Sequence, residues 1–334
     1  MKKSLPRILI IGICLLYSIG AWPLTAKTLG VVINTADPDS IRSGEYYRIA
    51  RGIPEDNLIK VRFKPGSDSM STGEFSTMKA VVDANTPAGI QAFALAWTTP
   101  YRVGCMSITT AFAFGYDRAF CARGCKTTRV SPYYNSPTQT PWQTYHLRPA
   151  MLLAGKDWSQ VKRLIDRGLR ADGSRPDGTA YLLDTTDKQR NVRAALYPAI
   201  ARHFGRDFRV EHIEANAITD RYDIMFYFTG MRQVTGLDRI GFRPGAIADH
   251  LTSAGGVLDG KHQMSALRWL EAGATGSYGA VTEPCNFITK FPNPALVMKW
   301  YFKGDTLIES YWKSVAMPGQ GVFIGEPLAR PFAG

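Results

Sequence analysis

The sequence predicts an α/β protein of three layers, with helices on both faces of a mostly parallel sheet, built as two side-by-side parts. Short apolar, β-branched runs alternate with segments of helical periodicity, which is the pattern of repeated βαβ units. Residues 28–33, 91–97 and 223–229 are apolar without alternation, as strands covered on both faces are. A polar, breaker-rich stretch, Asp172-Gly-Ser-Arg-Pro-Asp-Gly178, separates residues 27–171 from residues 172–334. With 334 residues, 45% of them hydrophobic and 20% charged, the chain is long and apolar enough for a well-buried core.

The first part opens with a strand at 28–33, whose turn Asn34-Thr-Ala-Asp-Pro-Asp-Ser40 supplies helix-capping side chains. A helix follows at 41–51 and is stopped by Gly52-Ile-Pro54, and a strand at 57–63 completes a βαβ unit. Because that first turn holds no glycine, no dinucleotide cofactor is expected. Residues 72–85 read as helix and 91–97 as strand, which opens into Thr98-Thr-Pro-Tyr-Arg102. Residues 105–149 are irregular, as an insertion covering a site or a partner surface would be. A strand at 151–154 and an amphipathic helix at 159–170 close this part.

The second part restarts the alternation: strand 179–184, helix 188–204, strands 208–213 and 223–229, helix 263–272, helices 295–302 and 306–316, and strand 321–324. Trp300, Tyr301, Tyr311 and Trp312 stand at helical spacing, which points to core packing.

Residues 1–26 have the layout of a signal peptide: basic Lys2, Lys3 and Arg7, a long apolar run, and a cleavage region at Leu24-Thr-Ala26. The alternative is an uncleaved anchor, since the run borders on spanning length. No later stretch is apolar enough to span, so after cleavage the protein is expected in the periplasm or outside the cell, without a membrane span. The formal charge of +12 becomes +9 once those three basic residues are subtracted. The basic residues are scattered, so solvated faces explain most of them, and a peptide or an anionic polymer remains a fitting ligand. Nucleic acid is not expected of an exported chain without a recognisable binding module.

Four cysteines follow the leader: Cys105, Cys121, Cys125 and Cys285. In an oxidising compartment an even number favours disulfides. Cys121 and Cys125 could close a small loop; any pair among the first three leaves one thiol to join Cys285 or stay free. No second Cys or His pair stands at ligand spacing, so no metal is expected.

Reactive groups concentrate in two glycine-rich segments read as strand-end turns, 243–256 and 273–285. The first holds Asp249, His250, Thr252 and Ser253; the second presents Glu283, Cys285 and Asn286. If both loops lie at the carboxyl edge of one sheet, His250 as base can meet Cys285 or Ser253 as nucleophile, with Asp249 orienting the imidazole. The competing reading makes Asp249 and Thr252 capping residues, His250 a satisfied half-buried histidine and Cys285 a disulfide partner. Asn34, Arg102, Thr252 and Glu283 are candidate ligand contacts, Arg102 as an anion clamp and Glu283 as a partner of Lys290, Arg102 or backbone N–H groups. His146, His203, His212 and His262 have no partner at useful spacing.

The motifs Asn34-Thr-Ala-Asp-Pro-Asp-Ser40, Gly44-Glu-Tyr-Tyr47, Arg51-Gly-Ile-Pro54, Pro244-Gly-Ala-Ile-Ala-Asp-His-Leu-Thr-Ser-Ala-Gly-Gly256, Ala272-Gly-Ala-Thr-Gly-Ser-Tyr-Gly279, Glu283-Pro-Cys285, Lys290-Phe-Pro292 and Gly325-Glu-Pro-Leu328 together resemble an uncharacterised exported bacterial family. That family occurs in genomes carrying the exosortase system, which sorts proteins with a Pro-Glu-Pro (PEP-CTERM) signal. The resemblance covers nearly the whole mature chain and implies export without specifying an activity. More distantly, the second half is similar to gingipain-type cysteine peptidases of the caspase-like fold, which place a catalytic His after one strand and a Cys after the next. Here Gly230-Met231 stand where His-Gly is expected, and Thr252-Ser253 where the Cys would be. That resemblance implies a shared fold, with any surviving chemistry rebuilt from His250, Ser253 or Cys285. Two functions follow: a peptidase-like hydrolase of the cell envelope, or a binding or assembly factor in protein sorting or exopolysaccharide export.

Overall fold

The computed structural model describes residues 24–122, 125–260 and 262–334; most of the expected signal peptide, residues 1–23, lies outside them. The first part contains β1 (Leu29–Asn34), α1 (Pro38–Arg51), β2 (Leu58–Val61), β3 (Ser69–Met70), α2 (Thr72–Ala84) and β4 (Ala92–Leu95). It continues through β5 (Arg102–Val103), β6 (Met106–Ser107), α3 (Ile108–Phe114), α4 (Pro141–Tyr145), β7 (Ala150–Leu152) and α5 (Trp158–Ala171). The second contains β8 (Thr179–Asp184), α6 (Tyr197–Phe204), β9 (Arg209–Glu214), β10 (Arg221–Thr229) and β11 (Ile240–His250), followed by α7 (Leu267–Ala272) and β12 (Gly276–Ala280). The helices α8 (Pro294–Phe302) and α9 (Leu307–Trp312) precede β13 (Gly321–Gly325).

The expected start is realised through its capping chemistry. The Asp37 carboxylate accepts from the Asp39 N–H at 3.0 Å, Pro38 occupies the first turn of α1, and Gly52 ends the helix at φ +63°. β1 then pairs parallel with β2 and with β4, giving the βαβ crossover. The helix expected at 188–204 is resolved into a 3₁₀ segment, Asn191–Leu196, and α6.

Among the described residues ten strands form one sheet in the order β2-β1-β4-β7-β13-β12-β11-β10-β8-β9, and β3-β5-β6 form a small second sheet. Helices α1, α5, α6, α8 and α9 pack on one face of the large sheet; α2, α3 and α7 cover the other, making three layers. Trp312, Tyr301 and Tyr311 are fully buried and Trp300 nearly so, as their spacing suggested.

The direction of the strands decides where loops can meet. β1, β2, β4, β7 and β13 run parallel to one another, and so do β8 to β12, but β12 and β13 pair antiparallel. The two halves of the sheet therefore run in opposite directions. The carboxyl ends of β8, β10, β11 and β12 share an edge with the amino ends of β1, β4, β7 and β13. The expected subdivision near residue 172 falls between α5 and β8, and β13 crosses it by pairing with β7.

Candidate functional site

The segment read as a turn at 243–256 is mostly strand, because β11 continues to His250. Successive side chains of a strand point to opposite faces. Asp249 accordingly turns to the α6 side, where its carboxylate lies 2.6 Å from the Arg193 guanidinium; both side chains are 1% exposed. Arg193 also donates to the carbonyls of Thr229 at 2.8 Å and Pro292 at 3.2 Å, tying the ends of β10 and of the 288–292 segment to this pair. Burial pushes the Asp249 carboxyl up from its ordinary value, with Arg193 acting in the opposite sense. Asp249 therefore does not orient His250.

His250 turns toward α7 and is sealed there. Its Nε2 is 2.9 Å from the Met264 carbonyl, which can only accept, so Nε2 carries the proton. Nδ1 accepts from the Trp269 indole N–H at 3.0 Å. Both ring nitrogens are thus occupied. Burial lowers the imidazole to about 4, against a smaller opposing effect of the Met264 bond and with added repulsion from Arg193 and Arg190. No lone pair remains for a substrate proton.

The glycine pair after β11 exists for close approach. The Gly256 N–H donates to the Ala280 carbonyl at 2.8 Å, and a Cβ on Gly279 would sit 2.2 Å from the Gly255 carbonyl carbon. This contact brings the two expected loops together. In the second loop the Glu283 carboxylate accepts from the Cys285 N–H at 2.7 Å, and Gln320 Nε2 donates to the Glu283 carbonyl at 2.7 Å. Among the described residues Glu283 forms an ion pair with neither Lys290 nor Arg102.

Cys285 is bonded to Cys125, and Cys105 to Cys121. The small Cys121–Cys125 loop does not form, and Cys285 is no free nucleophile. The proposed pair of His250 and Cys285 is therefore replaced by a sealed imidazole and a disulfide. Thr252 is also held internally, donating to Gln263 Oε1 at 2.6 Å and accepting from Arg190 Nε at 3.0 Å. Ser253 is half-buried and meets no His, Asp or Glu in a hydrogen bond among the described residues.

What the two loops do build is an open cleft of about 380 Å³, lined by Gln189, Arg190, Leu251, Ser253, Glu283, Asn286, Phe291 and the Cys125–Cys285 disulfide. Ser253, Glu283 and Cys285 of the expected site share it; His250, Asp249 and Thr252 do not line it. The cleft lies at the carboxyl edge of β8, β11 and β12. In this half of the sheet, β8 leads outward to β9 while β10 lies on its inner side, which makes it a switch point of the kind that hosts ligands in open α/β sheets. The signal for Arg190 was in Thr185-Thr-Asp-Lys-Gln-Arg190, a polar loop directly after an apolar strand, which the helical reading of 188–204 absorbed.

Asn34 and Arg102 lie elsewhere. Asn34 ends β1 at the opposite edge, buried, donating to the Phe63 carbonyl at 3.0 Å and accepting from the Phe63 N–H at 3.1 Å, so it ties the β1 turn to the segment after β2. Arg102 belongs to β5, with Nη2 3.5 Å from Asp68. No group of three or more His, Cys, Asp or Glu able to hold a metal ion occurs among the described residues. No described helix is long and apolar enough to cross a membrane. The two disulfides fit the oxidising compartment expected of an exported protein. No protein-family model, curated protein or solved structure matches the chain.

Proposed function

We propose that the protein is a non-catalytic binding or assembly factor of the cell envelope, holding an anionic group of a peptide or polymer in the cleft at the β8, β11 and β12 ends. One observation carries the reading: the imidazole is saturated by Met264 and Trp269, and the Cys285 thiol is oxidised to a disulfide. Activated nucleophilic catalysis needs a base with a free lone pair beside a thiol or hydroxyl. Binding needs only fixed donors in a concave surface. Arg190 supplies these, anchored through Nε to Thr252 and through Nη1 to Asp187 at 3.0 Å, with its Nη2 making no further hydrogen bond among the described residues. In this reading the factor serves protein sorting or exopolysaccharide export, which the resemblance to exosortase-associated proteins supports.

The test has two arms on the oxidised protein. A fluorophosphonate and a chloroacetamide probe leave Ser253 and Cys285 unmodified by intact mass; stoichiometric labelling that disappears in His250→Ala restores the peptidase reading. An oligouronate binds the wild type, and Arg190→Gln weakens it about tenfold, while the exposed Arg206→Gln changes it less than about twofold. Equal losses in both variants reduce the binding to unspecific attraction by a basic protein.

A further inference from the structure

A second cavity, of about 660 Å³, opens at the amino ends of β4 and β7. Its wall is aromatic, from Phe93, Phe112, Phe114 and Trp142, and Arg148 stands in it at 7% exposure. The Arg148 guanidinium carbon lies 3.4 Å from the centroid of the Trp142 ring, so the plane is stacked on the indole. Nε donates to the Ile90 carbonyl at 2.9 Å. Among the described residues no carboxylate lies within ion-pair distance of Arg148, and Nη1 and Nη2 have no hydrogen-bond partner. Asp83, the one acid on the cavity wall, is taken by Lys79 at 2.6 and 2.7 Å. Burial without a counter-ion lowers Arg148 to about 10, with Asp83 opposing.

A nearly buried guanidinium is ordinarily paired with a carboxylate, because desolvated charge is costly alone. Here stacking fixes its plane and one backbone bond fixes its rotation, leaving the outer fork of donors free. That fork matches a carboxylate in two parallel hydrogen bonds. The aromatic wall beside it suits an apolar body of modest size.

We infer that this cavity is a binding site for a carboxylate carried on an aromatic or apolar body, held by the free Nη1 and Nη2 of Arg148. The site is separate from the Arg190 cleft and does not depend on it. A free aromatic acid and the carboxyl terminus of a peptide ending in an aromatic residue present the same chemistry.

Titration of the intact oxidised protein with phenylacetate, phenylacetamide, N-acetyl-Ala-Phe and its C-terminal amide, followed by calorimetry and chemical-shift mapping, decides it. Each acid is expected to bind at least about tenfold more tightly than its neutral amide. A stronger response to N-acetyl-Ala-Phe than to phenylacetate selects the peptide terminus, and the reverse selects the free acid. Arg148→Gln is expected to lose at least about tenfold in affinity, and the exposed Arg206→Gln to change it less than about twofold. Equal affinity of acid and amide, no saturation by either acid up to about 10 mM, or unchanged binding in an Arg148→Gln variant that melts like the wild type overturns the assignment. The comparison of acid with amide is made on the wild type, so it stands even if Arg148→Gln does not fold.

Discussion

Replacing His250 by Gln distinguishes a sealed structural imidazole from a catalytic one through stability, independently of any substrate. The folded ring sits at about 4, whereas an unfolded histidine titrates near 6.5. Between those values the unfolded chain binds a proton that the folded protein refuses, so stability contributed at this position is full above about pH 6.5 and is lost as pH falls toward 4. The gap amounts to about 3 kcal/mol when fully expressed. Its main cause is burial, and a proton on Nδ1 would in addition face the Trp269 N–H from which Nδ1 now accepts. Glu309 works against this: burial and Asp305 raise its carboxyl to about 7, so its contribution falls as pH rises through the same range. The wild-type curve alone therefore mixes two opposing slopes. Urea unfolding of wild type and His250→Gln at several pH values from 4 to 7.5 isolates the histidine as their difference. The variant is expected to be less stable near neutrality and to close that gap by about 3 kcal/mol toward pH 4. A difference that stays flat to within about 0.5 kcal/mol, or a His250 ring that titrates near 6.5 by NMR, refutes the sealed imidazole.

Two further outcomes follow from the same packing. Asp249→Asn leaves Arg193 charged, buried and unpaired, and is expected to cost about 3–5 kcal/mol in urea unfolding, whereas Asp249→Leu combined with Arg193→Met costs less than either single change. A single-variant loss below about 1 kcal/mol would contradict the buried ion pair. Leu24, within the segment expected to be cut from the leader, is 3% exposed in the main core, and removing it would forfeit about 2 kcal/mol of burial. N-terminal sequencing of any processed form is therefore expected to begin at or before Leu24; a processed chain beginning at Lys27 would contradict it.

Strand and helix positions were largely legible because each rests on local chemistry. The 179–184 strand is apolar through Ala180-Tyr-Leu-Leu183, Gly52 ends α1 as expected although Pro38 starts it three residues before Ile41, and Gly273 ends α7. The site was less legible because its geometry depends on one residue of phase. Whether Asp249 and His250 cooperate or part depends on whether the strand continues through them, and the glycines nearby favour a turn in any local reading. Arg193, the true partner of Asp249, lies on a different connection and has no local signal. The glycines themselves were informative about close approach, as the Gly256–Ala280 contact demonstrates, but not about which side chains that approach brings together.

The largest gap between sequence and structure lies in the reversal of strand direction. Parallel βαβ units are recognisable from their rhythm, but the relative direction of two such arrays is settled by a single non-local pairing, residues 276–280 against 321–325. The α8–α9 connection between them is compatible with either direction. If both arrays ran the same way, Asn34 and the 98–102 loop would stand on the edge that carries Ser253 and Glu283, which is what a shared functional rim required. The antiparallel β12–β13 pair places the end of β1 on the far edge instead and brings forward the connections that precede β4 and β7. It is this inversion that puts Arg148, a residue before a strand, on the same edge as Arg190, a residue after one. The edge that carries both proposed sites is thus a carboxyl edge for half of the sheet and an amino edge for the other. The first cation stands on a loop that follows a strand, β8, and the second on a loop that leads into one, β7.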